Sequence, residues 1–237
     1  MSKFKNKLYN KAKEYGFELT DKMLVDFEVY KDLLIEWNKV MNLTAITDED
    51  EIILKHFVDS LFCTKYIKEN SKIIDVGTGA GFPGIPIAIY MQEKVNVTLL
   101  DSLNKRINFL NEVKEKLCLN NVTTIHARAE ELSHDENYRE KFDHVVSRAV
   151  ANLAVLSEFD LPYLKVDGIA VIMKGSNYKE EIENARNALN KLNSKIIAKE
   201  EYFLEDEIKH SIIQIKKNKN IDNKYPRAFG KIKKSPL

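Results

Sequence analysis

The chain has 237 residues, of which 44% are hydrophobic and 31% charged, and its formal net charge is +1. This composition is typical of a globular protein with a sizeable core and argues against a disordered chain. No apolar run reaches the roughly 18–20 residues of a membrane-spanning helix, and Cys63 and Cys118 lack the spacing of a metal or redox motif. We expect a cytoplasmic monomer with no membrane segment and no metal.

Basic residues are concentrated at the two ends of the chain. The first 13 residues contain five lysines and no acid, and residues 216–237 contain eight basic residues and one acid. Because the total is only +1, the body between the ends carries an excess of negative charge. Such ends are often solvated tails, but they also fit contact with a polyanion. The C-terminal stretch is polar, and we expect it to be ordered only in part.

Three helices are predicted before the first strand. The first covers residues 1–16, and the second begins after Thr20, a residue type that caps helices. The third runs from about residue 48 to 66 and contains His56, whose ordinary role there is a structural hydrogen bond, so we assign it no catalytic function. The apolar residues of the second helix recur at steps of four and three, which predicts one buried stripe. The stripe consists of Met23, Phe27, Tyr30, Leu34, Trp37 and Met41.

From residue 72 onward, short runs rich in β-branched residues alternate with helical patterns. This alternation predicts a parallel sheet with helices on both faces. Two further runs, joined by a short acidic turn, predict an antiparallel hairpin. The predicted strands are Lys72–Val76, Val95–Leu100, Val122–His126, Asp143–Ser147, Ile169–Met173, Lys195–Phe203 and Ile208–Ile215.

A glycine-rich turn lies between the first strand and the helix that follows it. It contains four of the eight glycines of the chain and reads Asp75-Val76-Gly77-Thr78-Gly79-Ala80-Gly81-Phe82-Pro83-Gly84. A strand, such a turn and a helix start bring backbone N–H groups up to a nucleotide-like ligand. Glycines have no Cβ, so we expect these four to allow the ligand to approach closely.

The turn can be read in two registers. Counted from Gly79, it matches the Gly-x-Gly-x-x-Gly fingerprint of NAD-dependent oxidoreductases, but it starts too far from the strand end. Counted from Gly77, it places Asp75 two residues before three alternating glycines, which resembles the first motif of class I S-adenosylmethionine-dependent methyltransferases. Asp101, after the second strand, fits both registers because a carboxylate there can accept both ribose hydroxyls. The acidic start and the closing hairpin favour the second register.

Several segments together resemble one family, RsmG (GidB), whose members form 7-methylguanosine in bacterial 16S ribosomal RNA. The Tyr225-Pro226-Arg227 segment of the tail also resembles one that many members contain. The other segments are Trp37-Asn38-Lys39-Val40-Met41-Asn42-Leu43-Thr44, His56-Phe57-Val58-Asp59-Ser60-Leu61, the glycine-rich turn extended to Ile85-Pro86, Leu100-Asp101-Ser102-Leu103-Asn104-Lys105-Arg106 and Ser147-Arg148-Ala149.

The resemblance implies an α/β fold of the class I S-adenosylmethionine-dependent methyltransferases. This fold is Rossmann-like, with a mostly parallel seven-stranded sheet and a closing antiparallel hairpin, and here it follows an N-terminal helical extension. The implied division is residues 1–70 for the helical extension, 71–217 for the methyltransferase domain and 218–237 for the basic C-terminal tail.

The resemblance also implies an S-adenosyl-L-methionine cofactor and its binding residues. Arg148 has an ordinary alternative role, an ion pair with an acid at a strand end. Carried over to this sequence, the family's cofactor positions are Gly77, Phe82, Ala129, Glu130 and Arg148, to which the ribose argument adds Asp101 and the register of the turn adds Gly79.

The implied substrate is a guanosine of 16S rRNA, free or within the small ribosomal subunit. N7 of guanine carries a lone pair and no proton, so its attack on the methyl group needs no general base, and we predict no catalytic residue. We expect the two basic ends, with Tyr225 and Arg227, to contact phosphates or stacked bases of the RNA.

Three other functions fit parts of the sequence. One is a methyltransferase of the same class with a protein or small-molecule substrate, which the basic ends argue against weakly. Another is an RNA- or ribosome-binding module that no longer catalyses, which the intact glycine turn and Asp101 argue against. The third is an NAD-dependent oxidoreductase.

Overall fold

A computed structural model of the chain describes residues 1–148, 151–205 and 209–237. Ala149 of the last family segment lies outside these residues, as do Ile208, the predicted start of the last strand, and Asp206 and Glu207 of the acidic turn. The strands within the described residues are β1 (Ser71–Val76), β2 (Val95–Asp101), β3 (Val122–His126), β4 (Phe142–Arg148), β5 (Leu164–Lys174), β6 (Ser194–Phe203) and β7 (Lys209–Lys217).

These strands confirm the predicted pattern, with small differences at their ends. β5 begins at Leu164 rather than Ile169 because Leu164 pairs with Phe142 of β4. All seven strands form one sheet in the order β3-β2-β1-β4-β5-β7-β6. The first five are parallel, and β7 runs antiparallel to both β5 and β6.

The carboxyl edge of the sheet is the place where this topology favours a ligand. The strand order reverses between β1 and β4, and open α/β sheets bind ligands in the crevice outside the strand ends at such a point. The strands around it end at Val76, Asp101, His126 and Arg148. The sequence-predicted Asp101 and Arg148 are therefore brought to the same edge.

The helices pack on the two faces of this sheet. They are α1 (Lys3–Glu14), α2 (Asp21–Met41), α3 (residues 49–66), α4 (Gly84–Met91), α5 (Asn104–Lys116), α6 (Ala129–Leu132), α7 (Leu153–Asp160), α8 (Tyr178–Lys191) and α9 (Phe229–Lys234). The predicted cap of α2 is present, since the Thr20 hydroxyl accepts a hydrogen bond from the Met23 N–H at 3.3 Å. α3 is less regular than predicted, because Ile52–Val58, which includes His56, is wound as a π-helix.

The sheet separates two hydrophobic cores, because successive side chains of a strand point to opposite faces. Ile73 of β1 belongs to one core and Ile74 to the other. The first core also contains apolar residues of α1, α2, α3, α4 and α5, and it includes the predicted α2 residues Phe27, Tyr30 and Leu34. The N-terminal helices are therefore built into the same core as the sheet.

The second core contains the C-terminal tail, which contradicts the expectation of partial order. Ile221, Tyr225 and Ile232 are buried in it. Arg227 donates hydrogen bonds through Nε and Nη2 to the two carboxylate oxygens of Glu158, at 2.8 and 2.7 Å. The prediction that Tyr225 and Arg227 contact RNA is therefore wrong, because a fully buried carboxylate at Glu158 requires a charged partner.

Acidic side chains of the body also neutralise other basic residues at the two ends. Lys217 is fully buried and donates to Glu140 at 2.6 Å. Further ion pairs with the body are Lys5–Glu28, Lys7–Asp50, Lys11–Glu14 and Lys216–Asp167, whereas Lys224 pairs with Asp222 within the tail. The excess of negative charge in the body thus serves in part to hold the ends. Within the described parts of the chain, no helix has the length and apolarity needed to cross a membrane.

Candidate functional site

The glycine-rich turn is closed by a single carboxylate, that of Asp75. Its Oδ2 accepts hydrogen bonds from the Thr78 hydroxyl at 2.6 Å and from the Gly84 N–H at 2.8 Å. Asp75 is fully buried, and its Oδ1 has no hydrogen-bond partner among the described residues. Burial raises the pKa of this carboxyl to about 7, although both hydrogen bonds act in the opposite direction. Asp75 therefore joins the start of the turn to the start of α4.

Two of the four glycines are required by packing rather than by a ligand. Gly84 faces Leu99 of β2, and a Cβ there would lie 2.3 Å from Leu99 Cδ2. Gly81 has a φ of +99°, and a Cβ there would lie 2.8 Å from the Tyr30 hydroxyl. That hydroxyl donates to the Ala80 carbonyl oxygen at 2.5 Å, so α2 supports the turn from below. The expectation of close ligand approach is therefore wrong for Gly81 and Gly84.

Two adjoining cavities lie above the turn at the carboxyl edge of the sheet. They share Gly77, Asp101 and Ser102 in their walls. The first cavity, of about 420 Å³, is also lined by Leu43, Thr44, His56, Thr78, Gly79, Ala80, Phe82, Arg106 and Arg148. The second, of about 330 Å³, is also lined by Val76, Leu100, Ala127, Arg128, Ala129, Glu130, Phe159 and Phe229.

Asp101 occupies the junction of the two cavities. It is the last residue of β2, and its Oδ2 accepts a hydrogen bond from the Gly79 N–H at 2.9 Å. Its Oδ1 accepts one from the Leu103 N–H at 2.9 Å, and Arg106 Nη1 lies 3.2 Å from Oδ2. These bonds fix the carboxylate against the turn, so Asp101 and Gly79 form one continuous wall.

The second cavity is mainly apolar, and besides the shared Asp101 it contains the carboxylate of Glu130. Ala129 and Glu130 begin α6, three and four residues beyond the end of β3, and so lie just after the third strand as expected. The Ala129 carbonyl oxygen accepts a hydrogen bond from the Tyr163 hydroxyl at 2.7 Å, which fixes α6 against the second core. Phe159 and Phe229 also line this cavity. The arrangement suits a flat heteroaromatic ring with a hydrogen-bond donor at its edge.

Arg148 lines the first cavity and also makes the ion pair that was its alternative role. Its Nη1 donates to Asp59 Oδ2 at 3.1 Å and to the Lys55 carbonyl oxygen at 3.0 Å. The guanidinium carbon lies 4.9 Å from the centroid of the Phe82 ring, within cation–π distance. The two roles are compatible because a guanidinium has five N–H donors.

Asp59 connects α3 to the C-terminal hairpin. The Tyr202 hydroxyl of β6 donates to its Oδ1 at 2.7 Å, and His210 Nδ1 of β7 lies 3.2 Å from the same oxygen. Burial alone would raise the pKa of Asp59, but the His210 hydrogen bond and the Arg148 charge hold it below its usual value. The carboxylate stays charged and holds Arg148 at the cavity.

His56 is a cavity residue that the sequence analysis left out of the site. Its ring stacks on Phe82 with centroids 4.4 Å apart and an interplanar angle of 21°. Its Nδ1 lies 3.2 Å from Arg148 Nη2, and its Nε2 lies 2.8 Å from Thr44 Oγ1. Arg148 can only donate, so Nδ1 accepts and the proton resides on Nε2. Burial, together with the Arg148 charge, lowers the pKa of His56 to about 3.

The structure brings all the sequence-predicted site residues to these two cavities, where their role in binding a cofactor stays a prediction. It adds residues from distant parts of the chain, chiefly Thr44, His56, Phe159 and Phe229. Segments containing Thr44 and His56 carried the family resemblance, so a sequence signal for them existed. No metal-binding cluster of histidine, cysteine and acidic residues occurs among residues 1–148, 151–205 and 209–237.

Comparison with known proteins gives a family model and close relatives. The model described as "GidB: rRNA small subunit methyltransferase G" matches residues 23–233. A protein of Clostridium botulinum (strain Eklund 17B / Type B) is 49% identical over 238 aligned residues, which cover 99% of each chain. One from Acetivibrio thermocellus is 51% identical and covers 99% of this chain and 97% of its own length. Both relatives carry the name "Ribosomal RNA small subunit methyltransferase G".

Solved structures share the fold at low sequence identity. M. jannaschii TYW2 in complex with AdoMet superposes with a TM-score of 0.54 at 20% identity, covering 67% of this chain and 74% of that chain. TrmN from Thermus thermophilus gives a TM-score of 0.54 at 13% identity, covering 68% of this chain and 48% of that chain. These neighbours support the α/β architecture described above.

The low pKa of His56 predicts a pH-dependent contribution to stability. Between about pH 3 and its usual pKa of 6.5, the unfolded chain binds a proton at this imidazole that the folded chain excludes. The contribution of His56 is therefore complete above that range and is lost as the pH falls. In urea unfolding, the stability difference between the wild type and His56→Asn should shrink from pH 7.5 to pH 4.5. A difference that stays constant across this range would contradict a neutral, buried His56.

Proposed function

This chain belongs to the rRNA small subunit methyltransferase G family, and on that premise we propose that it methylates N7 of one guanosine in 16S rRNA with S-adenosyl-L-methionine as methyl donor. The observation that carries this function is about 50% identity over nearly the full length to relatives named for this activity. The two joined cavities support it, because they lie at the carboxyl edge of the sheet near the topological switch point, where open α/β sheets bind ligands.

The residues of the two cavities fit S-adenosylmethionine part by part. The second cavity has apolar walls and the Glu130 carboxylate, which suit the adenine ring and its exocyclic amine. Asp101, at the junction, suits the two ribose hydroxyls. In the first cavity Gly77 and Gly79 leave the wall without side chains, and Arg148 offers a cation for the methionyl carboxylate. We assign the binding role to these residues, with Phe82 and Ala129 completing the walls.

The chemistry of the substrate requires no general base, and none of the assigned residues is given that role. The bound cofactor supplies an electrophilic methyl group, and guanine N7 already holds a free lone pair. His56 remains neutral with its proton on Nε2 toward Thr44, so it orients Arg148 and Phe82 rather than taking a proton. The protein contributes by holding the two reactants at attack distance, an effect worth up to about 7–11 kcal/mol.

The RNA partner approaches the mouth of the second cavity in this proposal. Arg128 lines this cavity and is exposed. The lysines of α9, the helix that begins with the cavity residue Phe229, are exposed as well: Lys231, Lys233 and Lys234. These cations replace the inward-facing Arg227 and Tyr225 as the expected phosphate contacts. We propose the small ribosomal subunit as the physiological partner, the cytoplasm as its location and a monomer as the acting form.

The three predicted segments act as one unit in this proposal. Residues 1–70 contribute Thr44 and His56 to the first cavity, and residues 71–217 contribute the turn and the strand ends. Residues 218–237 contribute Phe229 to the second cavity. Boundaries at residues 70 and 218 therefore divide the chain in sequence only, because all three segments contribute residues to the site.

A methyl-transfer assay tests the function directly. The purified protein is incubated with labelled S-adenosylmethionine and either free 16S rRNA or small subunits that lack the modification, and digested nucleosides are identified by mass spectrometry. We expect 7-methylguanosine from one position in at least one of the two substrates. Label appearing instead on protein or small molecules, or no label with wild-type protein that binds the cofactor, would favour one of the alternative functions.

The substitution Asp101→Asn tests the proposed ribose contact through its effect on cofactor binding. The substitution keeps the size of the side chain but removes the charge that would accept the ribose hydroxyls, so we expect the Kd for S-adenosylmethionine to rise at least about tenfold. Asp167→Asn is the control, because this exposed carboxylate lies at the amino end of β5 and pairs with Lys216. Calorimetry that gives equal affinities for the two variants would refute the ribose role.

Charge reversal tests the RNA surface. Lys231→Glu combined with Lys234→Glu changes two exposed side chains and leaves the buried Ile232 in place. We expect the KM for rRNA to rise and its salt dependence to flatten, with the KM for S-adenosylmethionine unchanged. Unchanged salt dependence would place the RNA contact elsewhere.

A further inference from the structure

The C-terminal tail is anchored to the rest of the chain by partly buried hydrogen bonds. Besides the Arg227–Glu158 pair, Arg139 donates through Nη1 to the Tyr225 carbonyl oxygen and through Nη2 to that of Ile221, both at 2.9 Å. His134 Nε2 lies 2.9 Å from the Pro226 carbonyl oxygen. These bonds span more than 80 residues of sequence and fix the path of the tail just before α9. These hydrogen bonds therefore set the position of Phe229, the next residue along the chain whose side chain lines the cavity.

Phe229 is an aromatic residue whose side chain is only partly covered by neighbouring residues. It is 40% exposed, one of the few large apolar side chains at the surface of the described residues. One face packs on Phe159, with ring centroids 6.2 Å apart and an interplanar angle of 15°. The Arg128 guanidinium carbon lies 5.7 Å from its centroid. Lys233 Nζ lies 5.6 Å from the same centroid, and Phe229 lines the second cavity together with Ala129 and Glu130.

We propose that Phe229 is an adenine-contacting wall of the cofactor site, so that the C-terminal tail completes a site whose other parts come from the sheet. The inference rests on the proposed function, because it takes the second cavity as the adenine subsite. Ala129 and Glu130 would bound one side of the ring, and Phe229 would cover the other. Stacking of a base on an aromatic side chain needs only a π-face, which Phe229 presents.

The role of the tail follows from its order along the chain. After β7 the chain passes α7, where Arg227 pairs with Glu158, and two residues later Phe229 lines the second cavity. The Arg227–Glu158 pair is thus a positioning element for the adenine wall. Both sides of the cofactor then depend on elements outside the parallel strands: α3 at the first cavity and the tail at the second.

Binding of S-adenosylhomocysteine and of 5′-methylthioadenosine to the full-length protein tests this inference. For Phe229→Ala we expect the Kd of both ligands to rise by the same factor, about fivefold or more, because both contain the adenine ring. Phe229→Trp keeps an aromatic face and should bind within about twofold of the wild type. Its added indole should also lose fluorescence on ligand binding beyond any change seen in the wild type, whose single tryptophan is Trp37.

Lys231→Ala, an exposed residue of the same helix, is the control and should bind like the wild type. If the wild type binds and Phe229→Ala binds equally well, the wall role is overturned and the methyltransferase function stands. If Phe229→Ala and Lys231→Ala weaken binding equally, or if Phe229→Trp fails to restore it, the effect belongs to the helix rather than to the ring, which also overturns the inference. A wild-type protein that binds neither ligand would overturn the proposed function itself.

Discussion

The hydrogen bonds from Thr78 and Gly84 to the buried Asp75 carboxylate are the constraint on which the site depends. One oxygen binds Thr78 in the first half of the glycine-rich turn and Gly84 at its end, and this holds the turn in place after β1. The N–H of Gly79 can then meet Asp101 at the end of β2, which joins the two cavities. Tyr30 of α2 supports the same turn through Ala80. A buried carboxyl with a pKa near 7 costs stability as the pH rises toward neutrality, and the fold retains it at the residue that shapes the site.

Both flanks of the sheet contribute to the site through a buried ion pair. Asp59 of α3 holds Arg148 at the first cavity and is itself held by Tyr202 and His210 of the closing hairpin. Glu158 of α7 holds Arg227 and through it the tail at the second cavity. Removing one partner of such a pair leaves a buried charge and costs about 3–5 kcal/mol. The helical extension and the tail are therefore structural parts of the site.

Local sequence pattern predicted the parts of the fold that depend on neighbouring residues. β-branched runs identified the strands, Thr20 identified a helix start, the register of the glycines placed Asp75 at the end of the first strand, and the second apolar run placed Asp101 after the next strand. Local sequence pattern could not predict the contacts between distant segments of the chain. A tail rich in lysine reads as solvated, and nothing near Arg227 reveals that Glu158, 69 residues earlier, is buried and requires it. His56 reads as an ordinary helix residue until the fold brings it onto Phe82.

A crystal structure with S-adenosylhomocysteine bound tests the central claim, that the cofactor spans the two cavities joined at Asp101. We expect the ribose hydroxyls within hydrogen-bond distance of the Asp101 carboxylate and the adenine ring in the second cavity, in contact with Glu130 and Phe229. A larger depression of about 490 Å³, lined by Lys22, Asn70 and Asn121, provides the contrasting location. Ligand bound there, or bound with its ribose away from Asp101, would contradict the account.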